Sequence, residues 1–483
     1  MARLALTLSL VSMLGAAGWE AVGGNSQHNG LVEDRSGPQT GTIRWTAWSP
    51  PTTIGMQVYT WEDYCVVGRF DFGTNTIRVA CNDLLTGDTF WTRNYSGNGK
   101  YLPFGCRDGH AYVRNFKETG HDSVFCIDLA TGDIVWRSPY TVDLGIIWSA
   151  TYAPNGDLLV PGSDFRILRL NQLTGDTVWT CHRLIPNTGA EGMCVWGDYL
   201  FGWRGAINTP KRIVAVELVS GRIVDSSAAL AGDGDQELPF SIGRDGTIFC
   251  QRDGGTLHAL AYTDSGFVEL WNQPSGGGVS MNFGVGPDST LYVPRGPRLF
   301  RLQAGTGAVL DSSLPLVPDS TLWPRVSIDR EGFVYVATGT YSGGGVWCLT
   351  RELDSVWFAP LSSTYYTGPA LGKDGITVIA GPGTLLTAYQ PVSDIAESPR
   401  NADSPGLRAS PNPFRALTRI SRTPAGGRRP VTVFDASGRE VRRFESESSE
   451  LVWNGQDQSG RTVPAGIYLV KSGSKMLRLV RSR

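Results

Sequence analysis

Charge is scarce in this chain. Asp, Glu, Lys and Arg make up 18% of its 483 residues, and the formal net charge is −2. No block of a single sign occurs, which argues against an acidic tail or a nucleic-acid arm. No sustained 3.6-residue apolar period appears, so long helices are not expected. Beyond the N-terminus there is no apolar run long enough to span a bilayer. Catalytic signatures are missing too: there is no Gly-x-Ser-x-Gly elbow and no Cys-x-x-Cys-His haem-attachment run. The five histidines (His28, His110, His121, His182 and His258) do not fall at metal-ligand spacings, and each reads as a strand or loop residue.

Two partial motifs fail on inspection. In "GDGDQE", Asp233, Asp235 and Glu237 alternate like the start of a calcium loop. Leu238 stands where the loop needs its glycine, and Arg244 where it needs its closing glutamate. "GNGK" ends like a phosphate loop, but Asn94 replaces the first glycine and Tyr101 follows Lys100. The residues therefore assign no catalytic and no metal-binding position, leave cofactor-binding residues unknown, and call for no cofactor.

Glycine is what the chain has in quantity, 60 residues of it, and it recurs in register. "DLLTGDTFW" (Asp83 to Trp91) is followed by "DLATGDIVW" (Asp128 to Trp136) and "QLTGDTVW" (Gln172 to Trp179). Each copy reads as a strand, a turn whose glycine supplies a positive φ, and a β-branched strand closing on Trp. Gly87, Gly132 and Gly175 are 45 and 43 residues apart; Gly221, Gly266 and Gly307 continue at 46, 45 and 41. A further turn is expected at Asp354, where the glycine has been lost. A second marker runs in phase, at Asp108-Gly109, Asn155-Gly156, Asp245-Gly246, Asp288-Ser289, Glu331-Gly332 and Asp374-Gly375. Trp61-Glu62-Asp63 and Trp196-Gly197-Asp198 fill the gaps.

One unit, "PFSIGRDGTIFCQRDGGTLHALAYTDSGFVELW", parses into four antiparallel strands. A four-strand repeat of about this period is the pattern of a propeller blade. "TGTIRW", with Gly41 and Trp45, is a final strand lacking its own first three. "YYTGPALGKDGITVIAGPGTLLTAYQ" (Tyr365 to Gln390) is three strands lacking a fourth. Joining them closes a ring of eight blades, or seven if one weak copy is not a blade, and removes exposed sheet edges.

The opening "MARLALTLSLVSMLGAAG" has the form of a secretory signal: Arg3, an apolar core from Leu4 to Leu14, and small residues Ala16-Ala17-Gly18. Export would permit disulfides among the eight cysteines. Local candidates are Cys65–Cys81, Cys106–Cys126 and Cys181–Cys194, against the alternative of buried free thiols, with Cys250 and Cys348 left apart. From Arg408 onward there are 15 Lys/Arg and 6 Asp/Glu, a net of +9, so residues 1–407 carry −11. The basic residues are interspersed with strand residues and suit a solvated sheet face.

After a Pro/Ser-rich linker the pattern changes. "SPNPF", "VFDASGREVR" and "WNGQDQSGRTVPAGIYLV", with Trp453, Gly455, Asp457, Gly460, Gly466 and Tyr468, resemble in order the C-terminal sorting domains of type IX secretion substrates and the related Ig-like domain of flagellar hook-capping proteins. That resemblance implies an export and surface-attachment address. The Thr-Gly-Asp-x-x-Trp phrase and "GWEAVGGNSQHNG" (Gly18 to Gly30) resemble the PQQ-type quinoprotein propeller repeat. In that family the repeat Trp packs between blades, a role that falls to Trp45, Trp91, Trp136, Trp179, Trp271 and Trp357, with Asp225 and Asp311 in the weaker copies. The chain departs from the quinoprotein dehydrogenases in lacking their adjacent Cys-Cys pair, so the likeness is to the scaffold rather than to the redox site.

The sequence thus predicts an all-β protein: a signal peptide (1–18), an opening segment (19–40), a PQQ-like propeller (41–395), a linker (396–408) and a C-terminal Ig-like β-sandwich (409–483). The expected function is non-enzymatic. A secreted or cell-surface monomer would bind a protein or glycan on a propeller face and engage secretion machinery through its C-terminal domain, with no nucleic acid and no membrane span. The alternative is a PQQ-dependent or other oxidoreductase using the central funnel.

Overall fold

A computed structural model describes residues 18–48, 53–71, 73–95, 100–116, 122–142, 149–162, 166–182, 193–205, 211–230, 240–252, 255–276, 282–317, 322, 324–340, 344–361, 363–364, 367–381, 385–391, 407–410, 414–422, 430–435, 439–445, 448–464, 466–472 and 475–481. The chain divides into two compact units, Met1–Ser393 and Asp394–Arg483. The described residues are almost entirely strand, turn and bend, with one short 3-10 turn at Lys373–Gly375.

The first unit is a β-propeller of antiparallel four-strand meanders. Phe240–Ile242, Ile248–Arg252, Thr256–Thr263 and Gly266–Pro274 form one of them, paired in chain order. Two further meanders, from Thr53–Trp61 to Thr89–Arg93 and from Lys100–Arg107 to Ile134–Val142, are joined into one larger sheet by a single parallel bridge, Ile77 to Lys100. Four more sheets follow the same plan. In the last sheet, Ala370–Leu371, Thr377–Ala380 and Leu385–Tyr389 are completed by Ile43–Trp48 from the start of the chain. Ile43 pairs with Tyr389 and Trp48 with Leu385.

The repeated phrase explains how neighbouring sheets are held together. Trp91 Nε1 donates to Leu129 O at 2.8 Å, Trp136 to Gln172 O at 2.9 Å, Trp179 to Leu218 O at 2.8 Å and Trp271 to Ala304 O at 2.7 Å. Each indole lies on the turn glycine of the next repeat: a Cβ on Gly132 would come within 2.6 Å of Trp91, and one on Gly175 within 2.4 Å of Trp136. These glycines have φ near +74°, so the residue that forms the turn also leaves room for the ring. Each docking adds a net hydrogen-bond contribution of about 0.5–1.5 kcal/mol to the apolar burial of the indole.

The dockings run around the unit and meet. Trp357 Nε1 donates to Pro38 O at 2.8 Å, and Trp45 Nε1 to Leu84 O at 2.9 Å. The weak copies use substitutes. Asp225 stands over Gly266, whose added Cβ would meet its Oδ2 at 2.6 Å. At the expected turn near Asp354, Leu353 takes the glycine's place with φ +70°. No indole arrives there, because the docking position holds Asp311, and Leu353 buries its own side chain instead.

All eight cysteines are buried thiols with no disulfide between them. Register keeps the nominated partners apart. Cys65 pairs with Asn82 and Cys81 with Val66; Cys106 pairs with Ala111, a full strand away from Cys126, which pairs with Tyr112. Cys181 and Cys194 sit in different sheets. Burial pushes the Cys65 and Cys126 thiols up to about 12.

In the second unit a three-stranded sheet (Leu407–Ser410, Thr418–Arg422, Glu450–Trp453) and a four-stranded sheet (Glu440–Phe444, Val431–Asp435, Gly466–Ser472, Lys475–Arg481) share one core. Trp453 is its centre, with Phe414 and Tyr468 rings 5.4 and 5.2 Å away. The motif residues fix the turns around it. Asp457 Oδ1 accepts from the Ser459 and Arg461 amides, Gly455 and Gly460 have positive φ, and Tyr468 OH donates to Pro464 O at 2.7 Å. Among the described residues, no helix is long and apolar enough to cross a membrane.

Candidate functional site

The first strands of a propeller's sheets converge on its central channel. Each is paired along one edge with the second strand of its own meander. The other edge of each is reached by a single stretch of chain, residues 18–37. Trp19 N donates to Thr60 Oγ1 at 2.9 Å. Cys106 N donates to Glu20 O at 3.0 Å, Val195 N to Ser26 O at 2.9 Å, Ile242 N to Gln27 O at 2.9 Å, Val285 N to Asn29 O at 2.8 Å and Ile328 N to Gly30 O at 2.6 Å. Tyr152 N donates to Ser26 Oγ at 3.0 Å, and Arg35 Nη2 reaches Leu371 O at 3.3 Å.

Geometry leaves one location for such a segment. Residues 20 to 30 span at most about 35 Å when extended, and here they turn back on themselves. The partners come from the first strands of successive meanders, in the order in which the meanders follow one another in the chain. A short stretch touched in turn by the first strand of every sheet lies on their common axis.

The segment's own chemistry keeps it there. Gly23 and Gly24 have φ +75° and +82°, and the Glu20 amide donates to Gly24 O, forming a tight turn under the Trp19 ring. Asn29 Nδ2 donates to Ile242 O at 3.0 Å, while its Oδ1 accepts from the Leu31 amide and from Asn25 Nδ2. Leu31 bridges Ile328 in parallel, and the Val32 amide donates to Ile328 O. Further on, Gly37 N donates to Asp329 Oδ2 at 2.9 Å, where Tyr335 OH also donates. Burial raises the Asp329 carboxyl above the usual range.

Glu20 and His28 are buried within the segment. Glu20 is 5% exposed, and burial pushes its carboxyl up to about 7 against the opposing pull of Arg107, whose Nη1 is 3.5 Å from Oε2. His28, also 5% exposed, is lowered to about 4 by burial. Its Nε2 lies 3.1 Å from Ala150 O, an acceptor only, so the ring is neutral with the proton on Nε2. His28 therefore closes a structural hydrogen bond.

Little else gathers. Among the described residues, no group of three or more His, Cys, Asp or Glu side chains comes together as a metal site would. His258 is buried with Nδ1 2.6 Å from Glu269 Oε1, and Lys100 opens a strand with Nζ over the Phe70 ring. His110 is half-buried and His182 exposed. Asp233, Asp235, Glu237 and His121 lie outside the described residues. Residues 20–30 accept from outward-facing amides of the first strands, so those amides are not left to hold a planar quinone at that level. Sequence reasoning singled out Gly18 to Gly30 by its resemblance but gave no role to Glu20, Asn29 or Arg35.

Residues 75–262 match the PQQ_2 family model, described as outer membrane protein assembly factor BamB. No curated protein matches the chain. Among solved structures the chain is similar to BamB from Moraxella catarrhalis, at 14% identity over 72% of this chain and 99% of that one, with a TM-score of 0.49. It is also similar to PorZ from Porphyromonas gingivalis, described as an essential surface component of the type-IX secretion system, at 14% identity over 86% and 74% with a TM-score of 0.38. A quinohemoprotein alcohol dehydrogenase from Comamonas testosteroni aligns at 12% identity over 78% and 81% with a TM-score of 0.40.

Proposed function

We propose that this chain is an exported, non-enzymatic, eight-bladed propeller that binds a protein partner on one of its faces, with a C-terminal Ig-like module serving as its secretion and attachment address. The count of eight comes from the two joined meanders, the five other complete ones and the composite sheet that Ile43–Trp48 finishes. The observation that carries the reading is the filled axis. Residues 20–30 take up outward-facing amides of the first strands, which are then not left to hold a cofactor on the axis. A propeller with its axis closed has its faces and rim left for recognition, and proteins are recognised by broad surfaces rather than by deep pockets. The family match, to a description of an assembly factor, supports a protein partner.

The test uses the full chain. PQQ and calcium are added to the purified protein, and quinone absorbance and dye reduction are followed. The reading expects neither signal, and a clear reduction rate would overturn it. In parallel, surface cross-linking on cells that export the chain is expected to trap a protein partner. Binding to glycans alone would replace that partner class.

A further inference from the structure

We propose that the end of the propeller bearing the hairpins between second and third strands takes an acidic segment of a protein partner, held at two arginine pairs, Arg204 with Arg212 and Arg295 with Arg298. This rests on the protein-binding reading and names the face and the partner's chemistry.

The pairs are cross-strand neighbours. Arg204 lies opposite Arg212 in the sheet that ends with Ile223–Ser226, and Arg295 opposite Arg298 in the sheet that ends with Val309–Ser312. Like charges directly opposite one another destabilise a sheet. Among the described residues none of the four is paired with a carboxylate, whereas at the other end Arg107, Arg169 and Arg301 are paired with Glu20, Asp157 and Asp288. Arg295 lies 5.2 Å over the Phe300 ring, with Nε and Nη2 buried and without a hydrogen-bond partner. The hairpins themselves, "RGAINTPKR" (Arg204 to Arg212) and "RGPR" (Arg295 to Arg298), contain no acid.

One arginine of each pair is held by the same set of bonds. Both meanders lack the docking tryptophan and end in Asp-Ser-Ser, at Asp225 to Ser227 and Asp311 to Ser313. Ser227 Oγ accepts from the Ile213 amide and its carbonyl from Arg212 Nη1; Ser313 Oγ accepts from the Leu299 amide and its carbonyl from Arg298 Nη1. The Leu230 and Leu316 amides close the clasp on Lys211 O and Pro297 O. Each guanidinium is thus tethered through one nitrogen, which lowers the cost of presenting its other donors to a carboxylate.

The meander from Phe240–Ile242 to Gly266–Pro274 lies between the two pairs in the chain, and Arg252 ends its second strand. One small anion does not reach both pairs; an extended segment with several carboxylates does. A bilayer or nucleic acid would meet the field of the whole face, and residues 1–407 carry −11. A short segment answers chiefly to charges within about 10 Å.

The experiment titrates fluorescein-labelled decaglutamate with the purified full chain at low salt and follows anisotropy. Wild type is compared with Arg204→Gln/Arg295→Gln, which spares both clasps, and with Arg330→Gln at the other end, where Arg330 is paired with Glu331. Wild type and Arg330→Gln are expected to bind alike. The double variant is expected to bind roughly tenfold more weakly or worse, and to melt no lower than wild type because a repulsion has been removed. Absence of wild-type binding, equal binding by the double variant, or a loss that tracks a lower melting temperature overturns the inference. Preference for phosphatidylglycerol vesicles or an oligonucleotide over the peptide also overturns it. Cross-linking on exporting cells judges the reading beneath it: a partner trapped equally by wild type and double variant keeps protein binding and removes this face, and no partner trapped by either removes both.

Discussion

Asn29→Ala is the sharpest probe of the axial segment. The residue is 4% exposed. Its side chain donates to Ile242 O at 3.0 Å and accepts from the Leu31 amide at 3.0 Å and Asn25 Nδ2 at 2.9 Å. Truncation leaves the first two buried backbone groups without these partners. Asn25 is spared, because its Nδ2 also reaches Leu31 O at 3.2 Å. Each orphaned buried group costs about 1–3 kcal/mol, and a water entering the vacated space recovers part of it, so the expected loss is about 2–4 kcal/mol. The assay is urea and thermal unfolding against Glu33→Ala, a control in the same segment. Glu33 is exposed and paired to an equally exposed Arg244, so removing it is expected to cost no more than about 1 kcal/mol. If Asn29→Ala unfolds with the control, within about 0.5 kcal/mol of wild type, the segment is a loosely held tail and the reasoning is refuted.

Three further outcomes are expected. Gly132→Ala and Gly109→Ala impose the same positive-φ cost, but only at Gly132 does the new Cβ meet an indole, with nothing within 4 Å at Gly109; the former should melt lower by about 1–3 kcal/mol, and equal melting would deny the docking. Glu20 and His28 should impose opposite pH slopes. Because the folded Glu20 pKa is raised from 4.5 to about 7, its stabilising effect is complete below 4.5 and is lost as pH rises to 7; because the folded His28 pKa falls from 6.5 to about 4, its effect is complete above 6.5 and is lost as pH falls to 4. Glu20→Gln should therefore unmask stability that rises with pH from 4 to 6.5, His28→Gln stability that falls from 4.5 to 7, and a Glu20→Gln profile without that rise would contradict the burial of His28. Finally, all eight thiols should resist alkylation in the native chain and all eight should react once it is unfolded without reductant, as counted by mass.

Much of the scaffold was legible because its physics is local. A turn needs a positive φ, a docking indole needs a space, and one glycine answers both, so Gly87, Gly132 and Gly175 declare the turns and the tryptophans declare the contacts. Where one half of the pair is missing the signal fades, as at Leu353, which holds φ +70° without being a glycine. The lone fourth strand at Ile43–Trp48 was legible for the same reason, since it carries the repeat's own ending. The stretch from Gly18 to Gly30 stood out by its resemblance, but its place on the axis was not legible. Its role lies in bonds between residues far apart in sequence, such as Asn29 with Ile242 and Arg35 with Leu371, and no periodicity records such partners. The disulfide candidates failed because spacing along the chain says nothing about which strand lies beside which.

The central claim is that the two ends of the propeller sequence share one sheet around an axis the chain itself fills. Thr46 and Thr387 face one another across that junction. Thr46→Cys combined with Thr387→Cys, oxidised in dilute solution and mapped by peptide mass, tests it directly, since a disulfide requires Cα atoms within about 7 Å. The account predicts a near-quantitative link within a single chain. Recovery of the two peptides unlinked, or linked only between chains, would contradict it.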